Sequence, residues 1–322
     1  MKRIIVLGIV VVLVIPAWTG AWFWGASFIT GSVKSLEAAD GVTTPKLSCG
    51  SFGIGGYPFG FDLTCTSATV TLADTTVTAA GLKASAEVYN PTHVLVFAKS
   101  PVTIADAFTG SQSRVDFASA EGSGRLTGWR IGRISVLVEK PVWNDTVLED
   151  RLIAKAEHVE MHLVDLPELH DAGAGLAGLG QYLEIDRLNA PAFEINAGKA
   201  VFEGDLDKLP DDIRTYGEAD LLKRWQVAGG TFTLKSFNGS DGDRNFSATG
   251  KLALDAQGRL DGQLKLNSKG VVERLGPLLP DQYRGWIIGA QAADGSYSQT
   301  LNIAAGVVFA GLIPAGVVPP VF

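Results

Sequence analysis

The chain has 322 residues, 38 of them glycine, and a formal net charge of −7 with acidic and basic side chains interspersed along it. No basic patch or basic-aromatic stripe is present, so a nucleic-acid partner is not expected. Glycine together with Thr, Val and Ala in short alternating runs suits many strands and turns.

Lys2 and Arg3 are followed by Ile4–Ile29 without a charged side chain. As a helix this run is roughly 39 Å long at about 1.5 Å per residue, more than the ~30 Å hydrocarbon core of a bilayer. A secretory signal would use Ile4–Ile15 as its apolar core and Thr19-Gly20-Ala21 as its cut site. A retained anchor instead accounts for Trp18, Trp22, Phe23, Trp24 and Phe28. Trp18, Trp22 and Trp24 are then the candidate side chains at the membrane interface. Bulky indoles around the cut site disfavour cleavage, and the anchor is the preferred reading. Either reading sends the chain from about residue 31 across the membrane. The bias of Lys and Arg toward the inner side keeps the N-terminus in the cytoplasm. In a bacterium the body would lie in the periplasm, with the lipid bilayer of the inner membrane as its first partner.

Residues 31–45 read as a stalk, with helix expected around Val33–Ala39. Cys49 and Cys65 follow. In an oxidising compartment an isolated pair is expected to form a disulfide, and closing this loop contributes about 3 kcal/mol in the chain-entropy model. Two free thiols are the alternative. Zinc is disfavoured because no His is near and four ligands are needed. Lys46 to Leu72 reads as strand, turn, strand, broken by Gly50, Gly53, Gly55 and Gly56, with Pro58 opening the second strand. Further strands are expected at 75–79, 83–89 and 93–98, the last two joined by an Asn90-Pro91 turn.

Val115–Ala120, Arg125–Trp129, Ile131–Val138 and Lys155–Leu163 alternate as an antiparallel meander does. Residues 165–181 interrupt it with Pro167 and a Gly-Ala-rich stretch. Strand returns over 182–204, including Ala192–Asn196 and Lys199–Phe202. Residues 205–227 read as one or two short amphipathic helices. Asp211 and Asp212 stand near the start and Lys223 and Arg224 near the end, as the helix dipole favours. Strands resume at Gly230–Phe237, Asn245–Leu254 and Arg259–Leu266. Short helices are expected at Val271–Leu275 and Asp281–Ile288, and a last strand pair over Tyr297–Phe309. Gly295 to Phe322 carries no charge. Pro314, Pro319 and Pro320 favour a buried strand with an extended apolar tail over a second membrane helix.

The expected fold is mainly β (α+β). It is a large twisted antiparallel sheet, or two related β halves, with a few short covering helices, preceded by one transmembrane helix. The divisions are an anchor or uncleaved signal over 1–30, a stalk over 31–45, an N-terminal β-rich half over 46–204, and a helical insert with a C-terminal β-rich half over 205–322. Ser123–Lys140 echoes Ala248–Lys269, each with Gly-basic-Leu, a turn, Gly-Arg and an alternating strand.

Candidate chemistry is sparse. His158-Val-Glu-Met-His162 carries two His four residues apart. Its apolar residues alternate with them, so it reads as a strand whose His are about 13 Å apart and face solvent. Gly173–Gly180 has the letters of a dinucleotide loop without the strand-turn-helix setting that such a loop needs, and reads as a loop or poorly formed helix. No G-x-S-x-G elbow occurs. His93 and His170 read as structural. No catalytic residue, cofactor site or metal site is expected, and no cofactor.

Gly56-Tyr57-Pro58-Phe59 with Phe61-Asp62-Leu63-Thr64, the Gly250–Leu266 meander and the Leu301–Phe322 close together resemble the alphaproteobacterial family of unknown function numbered 2125. That resemblance implies an N-terminal membrane segment and a periplasmic β-rich body over most of the chain, and supplies no catalytic residues. The same turn and meander are similar to AsmA-like envelope proteins, which implies an elongated curved sheet with an apolar groove for lipid. The expected function is a non-catalytic, membrane-anchored envelope protein that binds or shuttles phospholipid or acyl chains. The alternatives are a scaffolding module that meets another envelope protein without a ligand, and a hydrolase with an unrecognised site.

Overall fold

Two-residue alternation dominates the chain, and it builds strands wherever a tight turn separates two alternating runs. The structure is a computed structural model that describes residues 2–271 and 289–322. Among the described residues there are two α-helices and twenty strands, and every registered pairing is antiparallel. The fold is mainly β, a large antiparallel sheet preceded by an apolar helix. The chain divides into two compact units: residues 1–123 with 143–151, and residues 124–142 with 152–322.

The first unit begins with α1 (Lys2–Glu37). The chain then forms β1 (Lys46–Ser48), β2 (Ser51–Gly55), β3 (Gly60–Leu72), β4 (Thr75–Glu87), β5 (Asn90–Asp106) and β6 (Gln112–Asp116). β3 is the hub, pairing with β1, β2 and β4, and β5 lies between β4 and β6. The register aligns Leu63 with Ala84 and Cys65 with Leu82, while Ala84 meets Val96 and Leu82 meets Ala98. Alternation therefore collects Leu63, Leu82, Ala84, Val94 and Val96 on one face. The strands expected at 75–79 and 83–89 are one strand, β4, with a register shift between Ala79 and Gly81. The turn falls at Val88-Tyr89, so Asn90 and Pro91 open β5. The expected stalk begins as helix, since α1 continues to Glu37, and residues 38–45 follow as a turn and bends.

The chain passes through β7 (Ser119–Thr127), which straddles the division, into β8 (Arg130–Glu139) of the second unit, and on through β9 (Val142–Asp145) and β10 (Arg151–Lys155). The second unit continues with β11 (His158–Asp165), β12 (Leu176–Ala190) and β13 (Ile195–Pro210). Then follow α2 (Leu221–Val227), β14 (Thr231–Asp241), β15 (Arg244–Leu254) and β16 (Leu260–Lys269). β17 (Ala290–Gln291), β18 (Ser296–Ala304), β19 (Val307–Ala310) and β20 (Ile313–Val317) complete it. Its meander runs β8, β11, β12, β13, β14, β15, β16, β18, β19, β20. Ile131, Leu179, Leu209 and Trp225 form its buried cluster, with Leu126, Ile134, Leu206 and Phe232 packed around them. The Trp225 indole N–H donates to the Asp207 carbonyl at 2.7 Å. Gly230 leaves room for that ring, since a Cβ there would lie 2.1 Å from it.

Several expectations shift here. Residues 205–210 are strand, because β13 runs to Pro210; helix is confined to α2 and a 3-10 turn at Ile213–Thr215. Asp205 faces Lys235 across the sheet and Asp207 accepts from the Thr231 N–H and hydroxyl, so these acids serve strand pairing. Part of Ala192–Asn196 is a 3-10 turn, Pro191–Phe193. Leu176–Gly180 of the glycine-rich run belongs to β12, and Leu169 packs where a Cβ on Gly178 would fall. The uncharged end is strand through Val317 followed by extended chain, with Phe322 lying on Gly258. The helix expected at Asp281–Ile288 and all but Val271 of the other fall outside the described residues. Residue 204, the expected divide between halves, lies inside β13, and the two echoing segments fall in the same unit apart from Ser123.

Candidate functional site

The site that most of the singled-out residues share is the junction of α1 with the β2–β3 hairpin. On a helix, positions 18, 22, 25 and 26 fall on one face and positions 24 and 28 on another. The first face meets the sheet. The Trp18 indole N–H donates to the Pro58 carbonyl at 3.0 Å, and that of Trp22 to the Gly60 carbonyl at 2.8 Å. The Thr19 and Tyr57 hydroxyls share a hydrogen bond at 2.8 Å. Trp22 stacks on Phe61 with centroids 5.4 Å apart and meets Tyr57 edge-on at 5.5 Å. Phe61 reaches over Gly25, where a Cβ would lie 2.9 Å from its ring. Trp22 and Ala26 are buried as a result.

The three indoles expected at a membrane surface thus part company. Trp22 is covered by protein, Trp18 is tied to the hairpin yet exposed, and Trp24 is open and stacked on Phe28 at 6.3 Å. The difference is one of helix face, since Trp22 projects toward β3 and Trp24 away from it.

The Gly56–Phe59 turn has its own architecture. Gly56 has φ of 91°, and its carbonyl accepts from the N–H groups of Phe59 (3.1 Å) and Gly60 (2.8 Å). A Cβ at Gly56 would lie 2.8 Å from the Gly60 carbonyl, so only glycine fits. The Tyr57-Pro58 peptide is cis. Tyr57 leans back on α1, and Phe59 projects into solvent. The Phe59 carbonyl accepts from Val88 N–H at 2.9 Å, which sets the β4–β5 turn and its exposed Tyr89 alongside.

Cys49 and Cys65 form a disulfide with Cα atoms 5.3 Å apart. It ties the β1–β2 connector to β3, the strand along which α1 lies. After α1 the chain is locked by Asp40. Its carboxylate accepts from the Thr43 hydroxyl and from the N–H groups of Val42, Thr43 and Thr44, which hold it far below the usual carboxylate range. Ala73 N–H then reaches the Gly41 carbonyl at 2.7 Å.

Sequence reasoning singled out the indoles and the turn separately, read Thr19 as part of a cut site and Phe61 as part of the family pattern, and missed Gly25 and the contacts by which these three residues join helix and turn. The signal was present as small residues Gly25 and Ala26 at helical spacing from Trp18 and Trp22.

The other polar constellation lies on β11. Alternation puts His158, Glu160 and His162 on one face, as expected. They are not simply solvated. The His158 ring hydrogen-bonds Glu139 at 2.8 Å and that of His162 the Ser135 hydroxyl at 2.9 Å. Glu160 sits 3.6 Å from one ring and 3.5 Å from the other. The Glu139 contact raises the His158 pKa. Tyr182 donates to Glu184, which pushes its phenol up to about 12. Lys199 pairs with the same Glu184. Among the described residues no cluster of three or more His, Cys, Asp or Glu has the arrangement to hold a metal ion. His93 bonds Ser123, and His170 bonds Asp165, which also pairs with Arg130. An open hollow of about 600 Å³ between α2 and residues 174–176 contains Lys223, Arg224 and Asp220 without a nucleophile and base in contact.

One helix among the described residues is long and apolar enough to cross a membrane, and it is α1. Comparison with known proteins adds a family. The family model described as an uncharacterized protein conserved in bacteria (DUF2125) matches residues 22–319, and the chain belongs to that family. No curated protein and no solved structure matches it.

Proposed function

We propose that this DUF2125 member is a non-catalytic envelope protein, anchored by α1 in a bacterial inner membrane with its body in the periplasm, that shelters phospholipid acyl chains on an apolar sheet face. The observation that carries the reading is the incomplete cover of that face in the first unit. Leu63, Leu82 and Val94 are only half-buried, and Val96 is 37% exposed, although all four share the apolar side of the sheet. At about 25 cal/mol per Å² of apolar area removed from water, a side of this kind gains by being covered. Acyl chains are the matching cover for a body tethered to lipid, and they need no hydrogen bonds that aliphatic side chains lack. The Cys49–Cys65 disulfide agrees with an oxidising compartment.

The test uses full-length protein, delipidated in detergent and titrated with a fluorescent phospholipid. Saturable binding is expected. It should weaken at least about tenfold in Val96→Asp, because a carboxylate on that face must be desolvated under the chains. Absence of binding to the native protein favours the scaffolding alternative. Release of a cleaved probe would establish the hydrolase alternative instead.

A further inference from the structure

We propose that the Gly56–Phe59 turn and its neighbour at Val88-Tyr89 are a membrane-docking surface, seated in the headgroup region of the bilayer that α1 spans. The inference rests on the anchoring part of the reading above and is independent of any lipid held on the sheet.

Direction carries the first part of the argument. α1 runs beside β3 in the same sense. Trp18 meets Pro58, Trp22 meets Gly60, Gly25 lies under Phe61, and Gly41 beyond the helix end meets Ala73. The helix upstream of Trp18 therefore projects past the Gly56–Phe59 turn, and that turn is the end of the first unit nearest the membrane.

Length carries the second part. Among the described side chains of α1, Trp18 is the first bonded to the sheet. Lys2 and Arg3 bound the uncharged run, and from Ile4 to Ala17 it measures roughly 21 Å at about 1.5 Å per residue. The hydrocarbon core needs about 30 Å. That run is thus too short, by about 9 Å, to span the core while the hairpin stays clear of the membrane. The docked part of α1 and the turn beside it must enter the interfacial layer, which adds several ångströms on each side of the core.

Chemistry supplies the third. Gly55 to Phe61 carries no charge. Phe59 is 69% exposed and Tyr89 75%, and on the outer face of α1 Trp24 is 74% exposed. Tyr and Trp, whose rings carry a polar tip, are the side chains that favour the headgroup level, and Phe59 adds an apolar ring beside them. Asp62 and Glu87 stand just behind the two turns, where water resumes. The turn at the other end of β5 also bears an exposed aromatic, Phe108. The two ends differ in whether the helix projects past them.

The experiment places the photo-crosslinker p-benzoylphenylalanine separately at Val12, Phe59, Tyr89 and Phe108 in the full-length protein. Each variant is reconstituted in nanodiscs of phosphatidylethanolamine and phosphatidylglycerol, irradiated, and analysed by mass spectrometry for lipid adducts. All four native side chains are exposed, so folding should persist. The expected result is adducts from positions 12, 59 and 89, at least severalfold above position 108. Adducts at 12 with none above the 108 level at 59 and 89 overturn the docking surface and leave the anchor standing. Absence of adducts at 12 removes the anchor, and the docking surface with it. A protein-protein adduct at 59 in place of lipid means that a second copy covers the turn, which also overturns the proposal.

Discussion

The two units solve burial differently. In the first, the buried apolar residues are Ala68 and Ala79 on the sheet and Trp22 and Ala26 on α1, so the helix supplies the large side chain. In the second, Ile131, Leu179, Leu209, Trp225, Leu234 and Ile303 are all buried, and a seven-residue helix brings the Trp225 indole onto the sheet. The strands of both units alternate alike. What differs is the lid: the second unit carries one of its own, and the first leans on a segment that is also its candidate membrane anchor. A sheet whose main cover is a single long helix has apolar area left over, as the exposure of Val96 shows.

The sharpest way to break the contrast is Trp225→Ala. It removes a buried indole, its hydrogen bond to Asp207, and the contacts with Leu179 and Leu209. Loss of about 3–5 kcal/mol is expected, as for large aromatic truncations in cores. Urea unfolding followed by amide hydrogen exchange checks it. Lost protection should concentrate in β12 and β13, with β3 and β4 largely spared. Equal loss in both units would mean that they unfold as one.

Removing the Cys49–Cys65 bond comes next, because the first unit has little core to compensate. Cys49→Ala with Cys65→Ala should cost about 3 kcal/mol from the loop it no longer closes. The measurement is the urea midpoint read from exchange in β2 and β3. An unchanged midpoint would show that α1 alone suffices to hold the hairpin.

Much of this was legible in the sequence. Charge-free Ile4–Ile29 gave the helix, alternation gave most strands, and the prolines of the tail separated strand from span. His158–His162 is legible as strand because Val159, Met161 and Leu163 alternate with the polar set. The helix expected over 205–227 gives way to strand up to Pro210 because Asp205 and Asp207, two of the charges in that segment, have cross-strand partners in Lys235 and Thr231. The junction was unreadable for a different reason. Trp18, Trp22, Gly25 and Ala26 satisfy both a membrane pattern and a packing face, and only the position of Phe61, distant in the chain, decides between them. The local signal, small residues beside the indoles, marks a packing face without naming the distant partner that fills it.

The smallest expected effect concerns the polar face of β11, which belongs to neither lid. Glu139 hydrogen-bonds the protonated His158 ring and, with Glu160, raises its pKa in the folded state. A group whose folded pKa lies above its unfolded value stabilises the fold at pH below the unfolded value, near 6.5 for His. That contribution declines as pH rises through the folded pKa. The second unit should therefore lose a little stability just above pH 6.5, while the Asp40 turn of the first unit is insensitive there and weakens only in acid as its carboxylate protonates. Glu139→Gln keeps a hydrogen-bonding group and removes the charge. A titration of the His158 ring by NMR should then show its pKa fall, with the pH step in stability shrinking in parallel. A His158 pKa unmoved by that substitution would place the source of the shift at Glu160, on the strand's own residues instead of on its neighbour β8.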